Sequence, residues 1–501
     1  MGWCADTLRL FWGLLYWNLR KAWFRARRGR TPCPCQSPSD SGRAGVTACD
    51  ACLHWNRPAR FRAVCPLLVS TPDGLRCGAD TADVRPFWGR AAAIWGGAAT
   101  GCYLAGAFAL FIFLRSVGYP VNILHVTLPT HWHRVTEVRS GFFLNRAGEA
   151  FAQGRVTDAL LYLGSAYESD RANYTAGILL AKHLQVGQPA RSDEVFQALI
   201  RNHPELARQT AQEWFRALLA RGNFDRAAGL ARAEILAGAP SPAVWVRALV
   251  FAPRRLNPPA GSDPADLPPG AAGDPWRPVF AVEQLIRQGK RDAARTLLNR
   301  DWPETPDEFE AFYQGMVLTE LGESFAALDA LGRKPAVTDA EVVFTVRLNA
   351  LAADGKRRLL EQEVSQVLAP AFSPRTLGLA KVLCAHLIRH PDKALFERLR
   401  DKVVRERLPF NDETAGIWFS VFCAAGAVGD HEGLGQLTGL IRQGTGQPFL
   451  ALGAVAAFFR GETAEKRITP FLPALLLPLE VTYALLERYS SNEAPALRVT
   501  P

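Results

Sequence analysis

Six glycines recur at intervals of 33 to 35 residues, Gly154, Gly187, Gly222, then Gly289 two steps on, Gly322 and Gly355. That period marks a helix-turn-helix array, in which no helix pair buries its own apolar face and each must stack on its neighbours. A chain of 501 residues exceeds one ordinary core, and an elongated array accommodates it without added domain boundaries. Finer positions agree. Five residues after four of these glycines come Ala159, Ala227, Ala294 and Ala327, with Ser192 and Leu360 in the other two slots. A small residue there lets the second helix of a pair approach the first. Pro204 and Pro306 fall seventeen residues after a glycine and Pro240 eighteen, each where a helix must stop.

This pattern resembles the tetratricopeptide repeat (TPR), whose consensus carries glycine at its helix-helix turn, alanine five residues later and proline seventeen later. The units that match best are Asn145 to Asp170, Ala211 to Gly238 and Phe312 to Leu331, the last adding Gly315 at the earlier small-residue slot. The large anchors expected earlier in each unit are mostly Leu or Ala, so the resemblance is at superfamily level and covers residues 141 to 360 best. Beyond Gly355, His390-Pro391, Gly429 and Gly461 occupy turn positions, and a Pro/Gly-rich stretch from Pro253 to Pro278 interrupts the series. The resemblance implies an all-α fold, a TPR-like helical-hairpin solenoid over residues 141–501, and protein–protein binding through it. Apolar slots before the turns, Phe312 and Phe419 among them, are read as core or as a groove for a peptide or lipid. Cys384 and Cys423 occupy equivalent slots of adjacent pairs, about 8–10 Å apart for packed helices and too far for a disulfide. Free thiols are expected.

The run from Ala91 to Leu114 holds no acidic or basic side chain and is bracketed by Arg90 and Arg115. A bilayer core takes about 20 apolar residues at helical rise, so residues 88–115 are read as one transmembrane helix. Residues 1–90 carry 14 Lys and Arg against 6 Asp and Glu, leaving 44 against 42 for the remainder. That cationic excess places the amino-terminal side in the cytoplasm and the array outside it. It also points to anionic lipid as partner and away from nucleic acid, which would need a basic stripe along the array. Gly97, Gly101 and Ala105 form a small-residue stripe open to homodimerisation. Residues 116–140, with Pro120 and Pro129, read as an extended linker, with His131 and His133 on one face of a strand or in an exposed polar turn. Asn173-Tyr-Thr175 matches a glycosylation acceptor inside a predicted helical repeat.

Residues 1–30 pair a short Trp-rich apolar run with Arg20, Lys21, Arg25, Arg27, Arg28 and Arg30. This suits a basic amphipathic helix lying in the membrane interface, or a short helix docked on the neighbouring module. Residues 31–87 contain Cys33, Cys35, Cys49, Cys52, Cys65 and Cys77, six of the ten cysteines. In the cytosol such clustering reads as metal ligation rather than disulfides, and thiolates closing on a tetrahedral ion would supply folding energy that this Pro- and Ser-rich segment lacks. Cys33, Cys35, Cys49 and Cys52 could make one zinc-ribbon-like site, with Cys65, Cys77 and His54 forming a second or staying free. An iron–sulfur cluster and unligated thiols remain open, as do three disulfides if the segment is exported.

Two functions follow. The first is a membrane-anchored scaffold binding an unidentified protein through the solenoid, with a cytoplasmic zinc module. The second is a membrane-bound redox or metal-dependent protein using the cysteines. The chain has no phosphate loop, zincin helix or nucleophile elbow, so no enzyme is expected. Scarce Met and an excess of Arg over Lys suit a GC-rich bacterial gene, hence a bacterial cytoplasmic membrane.

Overall fold

The computed structural model describes residues 12, 15, 68–72, 74–77, 96–255, 267, 270, 273–334, 337–446 and 449–490. The chain is helical throughout most of this range and divides into two compact units, residues 1–138 and 139–501.

In the first unit, β1 (Leu68–Thr71) and β2 (Gly74–Cys77) form an antiparallel hairpin in which Leu68 faces Cys77. The candidate span is α1 (Gly97–Val117), long and apolar enough to cross a membrane, with Ala107 its one buried residue. Gly118, at φ +99°, ends it in the left-handed conformation. Residues 116–140 depart from the expected extended linker. They contain α2 (Ile123–Thr127), a 3-10 turn (Pro129–His131) and the start of α3 (His133–Ala152). The reason is local: Asn122 caps α2 reciprocally with His125, and Pro129 sits where a helix can begin. His131 and His133 therefore lie on helical turns, and not two apart on a strand. The stripe of Gly97, Gly101 and Ala105 is uncovered, with no neighbour within 4 Å of a Cβ built on either glycine.

The second unit is a packed array running from α3 through α4 (Val156–Ser169), α5 (Tyr174–Gly187), α6 (Pro189–Asn202), α7 (Ala207–Ala220), α8 (Phe224–Leu236) and α9 (Pro242–Phe251). It continues with α10 (Arg277–Arg287), α11 (Arg291–Leu298), α12 (Asp307–Glu320), α13 (Ser324–Gly332), α14 (Ala340–Ala353) and α15 (Arg357–Leu368). It ends with α16 (Pro374–Arg389), α17 (Lys393–Arg405), α18 (Ala415–Val428), α19 (His431–Thr445), α20 (Leu450–Phe459) and α21 (Leu479–Tyr489). Most helices pack on their successors. The first helices of successive pairs, α12, α14, α16 and α18, also pack on one another in series.

Five of the six periodic glycines share one turn. Gly154, Gly222, Gly289, Gly322 and Gly355 all have φ between +68° and +84°. In each, the residue after the glycine donates its N–H to the carbonyl five residues back, as Asn223 does to Leu218 at 2.9 Å and Glu323 to Leu318 at 2.8 Å. This is the six-to-one bond of a Schellman turn, which a left-handed glycine permits without steric cost. The next helix then starts two residues after the glycine every time. Gly187 differs, because it ends α5 and the break comes from Gln188 and Pro189 at the start of α6. Ala159, Ala227, Ala294 and Ala327 are all buried beneath the first helices. Asn173 caps α5, accepting from Ala176 N–H and donating to Ser140. Cys384 and Cys423 are free, buried thiols, and burial pushes both well above the usual thiol range.

The first helices approach closely at Gly315 of α12, where an added Cβ would lie 2.5 Å from one methyl of the buried Val346 of α14 and 2.9 Å from the other. A β-branched side chain on a packed helix has little room to rotate. Gly315→Ala should therefore destabilise the array by about 1–3 kcal/mol, read as a lowered urea midpoint at unchanged slope. A neutral result would mean that α12 and α14 are not this close.

Candidate functional site

The layer of first helices is covered by a later segment of the same chain, residues 463–489. After α20 the polypeptide returns through residues 463–478, with a 3-10 turn (Leu472–Ala474) against α5 and α7, and Thr469 against the turn at Gly222. Helix α21 follows and packs on α16 and α7. One eleven-residue helix thus bridges elements that stand far apart in the sequence, which requires the layer to curve around it.

Polar side chains hold α21 at both ends. Arg247 of α9 forms a two-pronged ion pair with Glu480, one prong at 2.8 Å, and its guanidinium lies between two rings, 4.2 Å from the centroid of Tyr483 and 4.8 Å from that of Phe312. Arg389 at the end of α16 pairs with Glu487 at 2.5 and 3.3 Å. Arg488 donates to the carbonyls of Ile388 at 2.8 Å and Ala427 at 3.2 Å, neutralising the C-terminal ends of α16 and α18. Between these ends Tyr483 is buried against Phe251, ring centroids 4.8 Å apart. Its hydroxyl has no hydrogen-bond partner.

A second set of charges continues the site. Arg254 grips Glu283 at 2.5 and 2.8 Å and Glu320 at 3.0 Å, while Tyr313 donates to Glu283 at 2.6 Å. Arg255 lies beside them over the Phe251 ring at 5.3 Å, its Nε buried without an acceptor. Burial raises the Glu320 carboxyl above its usual range against the pull of Arg254. Burial acts the same way on Glu480 and Glu487, but Arg247 and Arg389 respectively overcome it, so both carboxyls end below the usual range. Three other buried carboxylates tie helices together: Asp193 with Arg221, Arg226 and Trp214, Glu310 with Lys334, Gln314 and the Trp302 N–H, and Asp430 with Arg400.

Phe419 is buried in the core, and Phe312 is half-buried under Arg247; these two apolar slots thus serve packing and the cation. Of the six clustered cysteines, Cys33, Cys35, Cys49, Cys52 and Cys65 lie outside the described residues, as does His54, and Cys77 ends β2. Among the described residues no group of three or more His, Cys, Asp or Glu is placed to hold a metal ion. The residues that grip α21 were missed in the sequence. Arg247 inside Trp-Val-Arg-Ala-Leu-Val and Glu480 between Leu-Pro-Leu and Val-Thr-Tyr are lone charges in apolar runs. Such charges signal pairing, but nothing local links partners 233 residues apart. Compared with known proteins, the chain matches no family model, no curated protein and no solved structure.

Glu480 and Glu487 have depressed carboxyl pKa values, so their contribution is complete above the ordinary carboxylate range near 4.3 and is lost as pH falls through their lower folded values. Glu480→Gln combined with Glu487→Gln should speed hydrogen exchange of residues 479–489 at pH 7 by tenfold or more while α14 stays protected. The native chain should show the same local loosening only in acid. Unchanged protection of α21 in the double variant would show that its apolar contacts alone hold it.

Proposed function

We propose that this protein is a membrane-anchored helical scaffold that binds another protein through a TPR-like solenoid. Anchoring rests on α1, whose surface is apolar and uncovered, in a bacterial cytoplasmic membrane with the cationic residues 1–90 on the cytoplasmic face. The anionic headgroups of that face are the partner of the basic segment within residues 1–30. The observation that carries the scaffold reading is that the layer of first helices already holds a helix, α21, through Arg247, Arg389 and the carbonyl ends of α16 and α18. A surface that grips one helix by its carboxylates and a tyrosine has the chemistry to grip another of the same kind. The five matching glycine turns support the repeat character of the array.

Residues 31–87 are proposed as a zinc-ribbon-like module, on the spacing of the six cysteines alone. The scaffold needs no chemistry from them, and this separates it from a redox or metal-dependent protein. Crosslinking in native membranes should capture the same partner with the wild-type chain and with a variant in which Cys33, Cys35, Cys49, Cys52, Cys65 and Cys77 are all serine. The wild-type chain, purified under reducing conditions, should carry about one zinc ion or more. Loss of the partner in the serine variant would turn the reading toward cysteine chemistry, and metal-free protein with six titratable thiols would remove the zinc module.

A further inference from the structure

The segment after α1 does not lead away from it. Gly118 reverses the chain, and α2 packs back along α1 until the Tyr103 hydroxyl donates to the Thr127 carbonyl at 2.7 Å. Tyr103 is fourteen residues before the end of α1, so at helical rise Thr127 stands about 21 Å back from the tip. Ala107, Val121 and Val126 are buried between the two limbs. The outer surface is apolar on both: Phe108, Ile112 and Phe113 on α1, and Leu124, Leu128 and Trp132 on the returning limb, are exposed.

Two further observations fit lipid around the whole hairpin. From Ala91 to His133 the sequence holds one Lys, Arg, Asp or Glu, which is Arg115 near the tip. Much of the irregular backbone also finds partners within the segment, which the bilayer interior favours. Tyr119 N–H donates to Leu114, Val121 to Tyr119, Asn122 to the His125 ring, and Leu128 to Leu124. Pro120 and Pro129 have no N–H, and the Trp132 indole donates to the Val126 carbonyl at 3.0 Å.

We infer that residues 103–132 form a re-entrant hairpin in the bilayer, so that the chain emerges at His133 on the face from which α1 entered. This rests on the reading that α1 is a membrane anchor, and it replaces the sequence expectation that everything beyond residue 115 is exported. A simple crossing would leave Arg134, two residues after Trp132, whose indole reaches the Val126 carbonyl, close to the level of Tyr103 near the middle of the apolar run. The re-entrant arrangement sets Trp132 and Arg134 at the headgroups, where aromatic and cationic side chains favour the interface. The hairpin then penetrates about 21 Å of a hydrocarbon core of about 30 Å. Arg115 is the single charge carried deep, relieved by snorkelling toward the far headgroups and by local thinning. The cationic residues 1–90 and Arg134 and Arg139 then share the cytoplasmic face.

The test is protease protection of the full chain bearing different epitope tags at its two termini, in spheroplasts and in inside-out membrane vesicles. Both tags should be lost from the inside-out vesicles and both kept in spheroplasts. Loss of the two tags in opposite preparations would overturn the hairpin while leaving the anchor in place. Release of the chain from membranes by alkaline carbonate without detergent would instead overturn the anchor, and the hairpin with it.

Discussion

Five first helices of the array, those ending at Gly154, Gly222, Gly289, Gly322 and Gly355, turn the chain back within two residues, and their last carbonyls must still find donors. A left-handed glycine followed by the six-to-one hydrogen bond meets both needs, which is why the same geometry returns at Gly154, Gly222, Gly289, Gly322 and Gly355. The second helix then starts two residues after each of these glycines, and the alanines five residues after Gly154, Gly222, Gly289 and Gly322 are all buried. The first helices are thereby brought into one layer, close enough at Gly315 and Val346 that a single methyl matters. Curvature of that layer, and everything bound on it, depends on this turn.

The layer's exposed face is closed with charge as well as with apolar surface. Burying ion pairs is a weak source of net stability but fixes register well, since a shifted helix leaves charges unpaired. Glu480 and Glu487 lie seven residues apart on α21 and meet Arg247 and Arg389 from opposite parts of the array. Between them Tyr483 supplies the apolar contact. Such a helix is seated in one position, yet its hold is electrostatic in part and answers to pH.

In the first unit, if its apolar hairpin lies in lipid as proposed, the controlling constraint is the backbone. A chain that reverses at Gly118 and runs back along α1 can remain in lipid only if its irregular residues satisfy their own polar groups. Two prolines, the Asn122–His125 cap and the Tyr103 and Trp132 donors go far toward this within about fifteen residues of sequence. The same residues, read without their partners, have the look of an extended linker.

The periodic glycines, the alanines behind them and the uncharged run from Ala91 to Leu114 determined helical pairs and an apolar helix, because turn chemistry and hydropathy act over a few residues. Local order also explains why Gly187 misled: its place in the series is right, but Pro189 rather than a left-handed turn breaks the chain there. Tertiary structure alone decided that α21 covers the first helices and that α2 folds back on α1. Both depend on pairings at a distance, Arg247 with Glu480 and Tyr103 with Thr127, and a side chain's local sequence carries no information about a partner that only folding brings within reach.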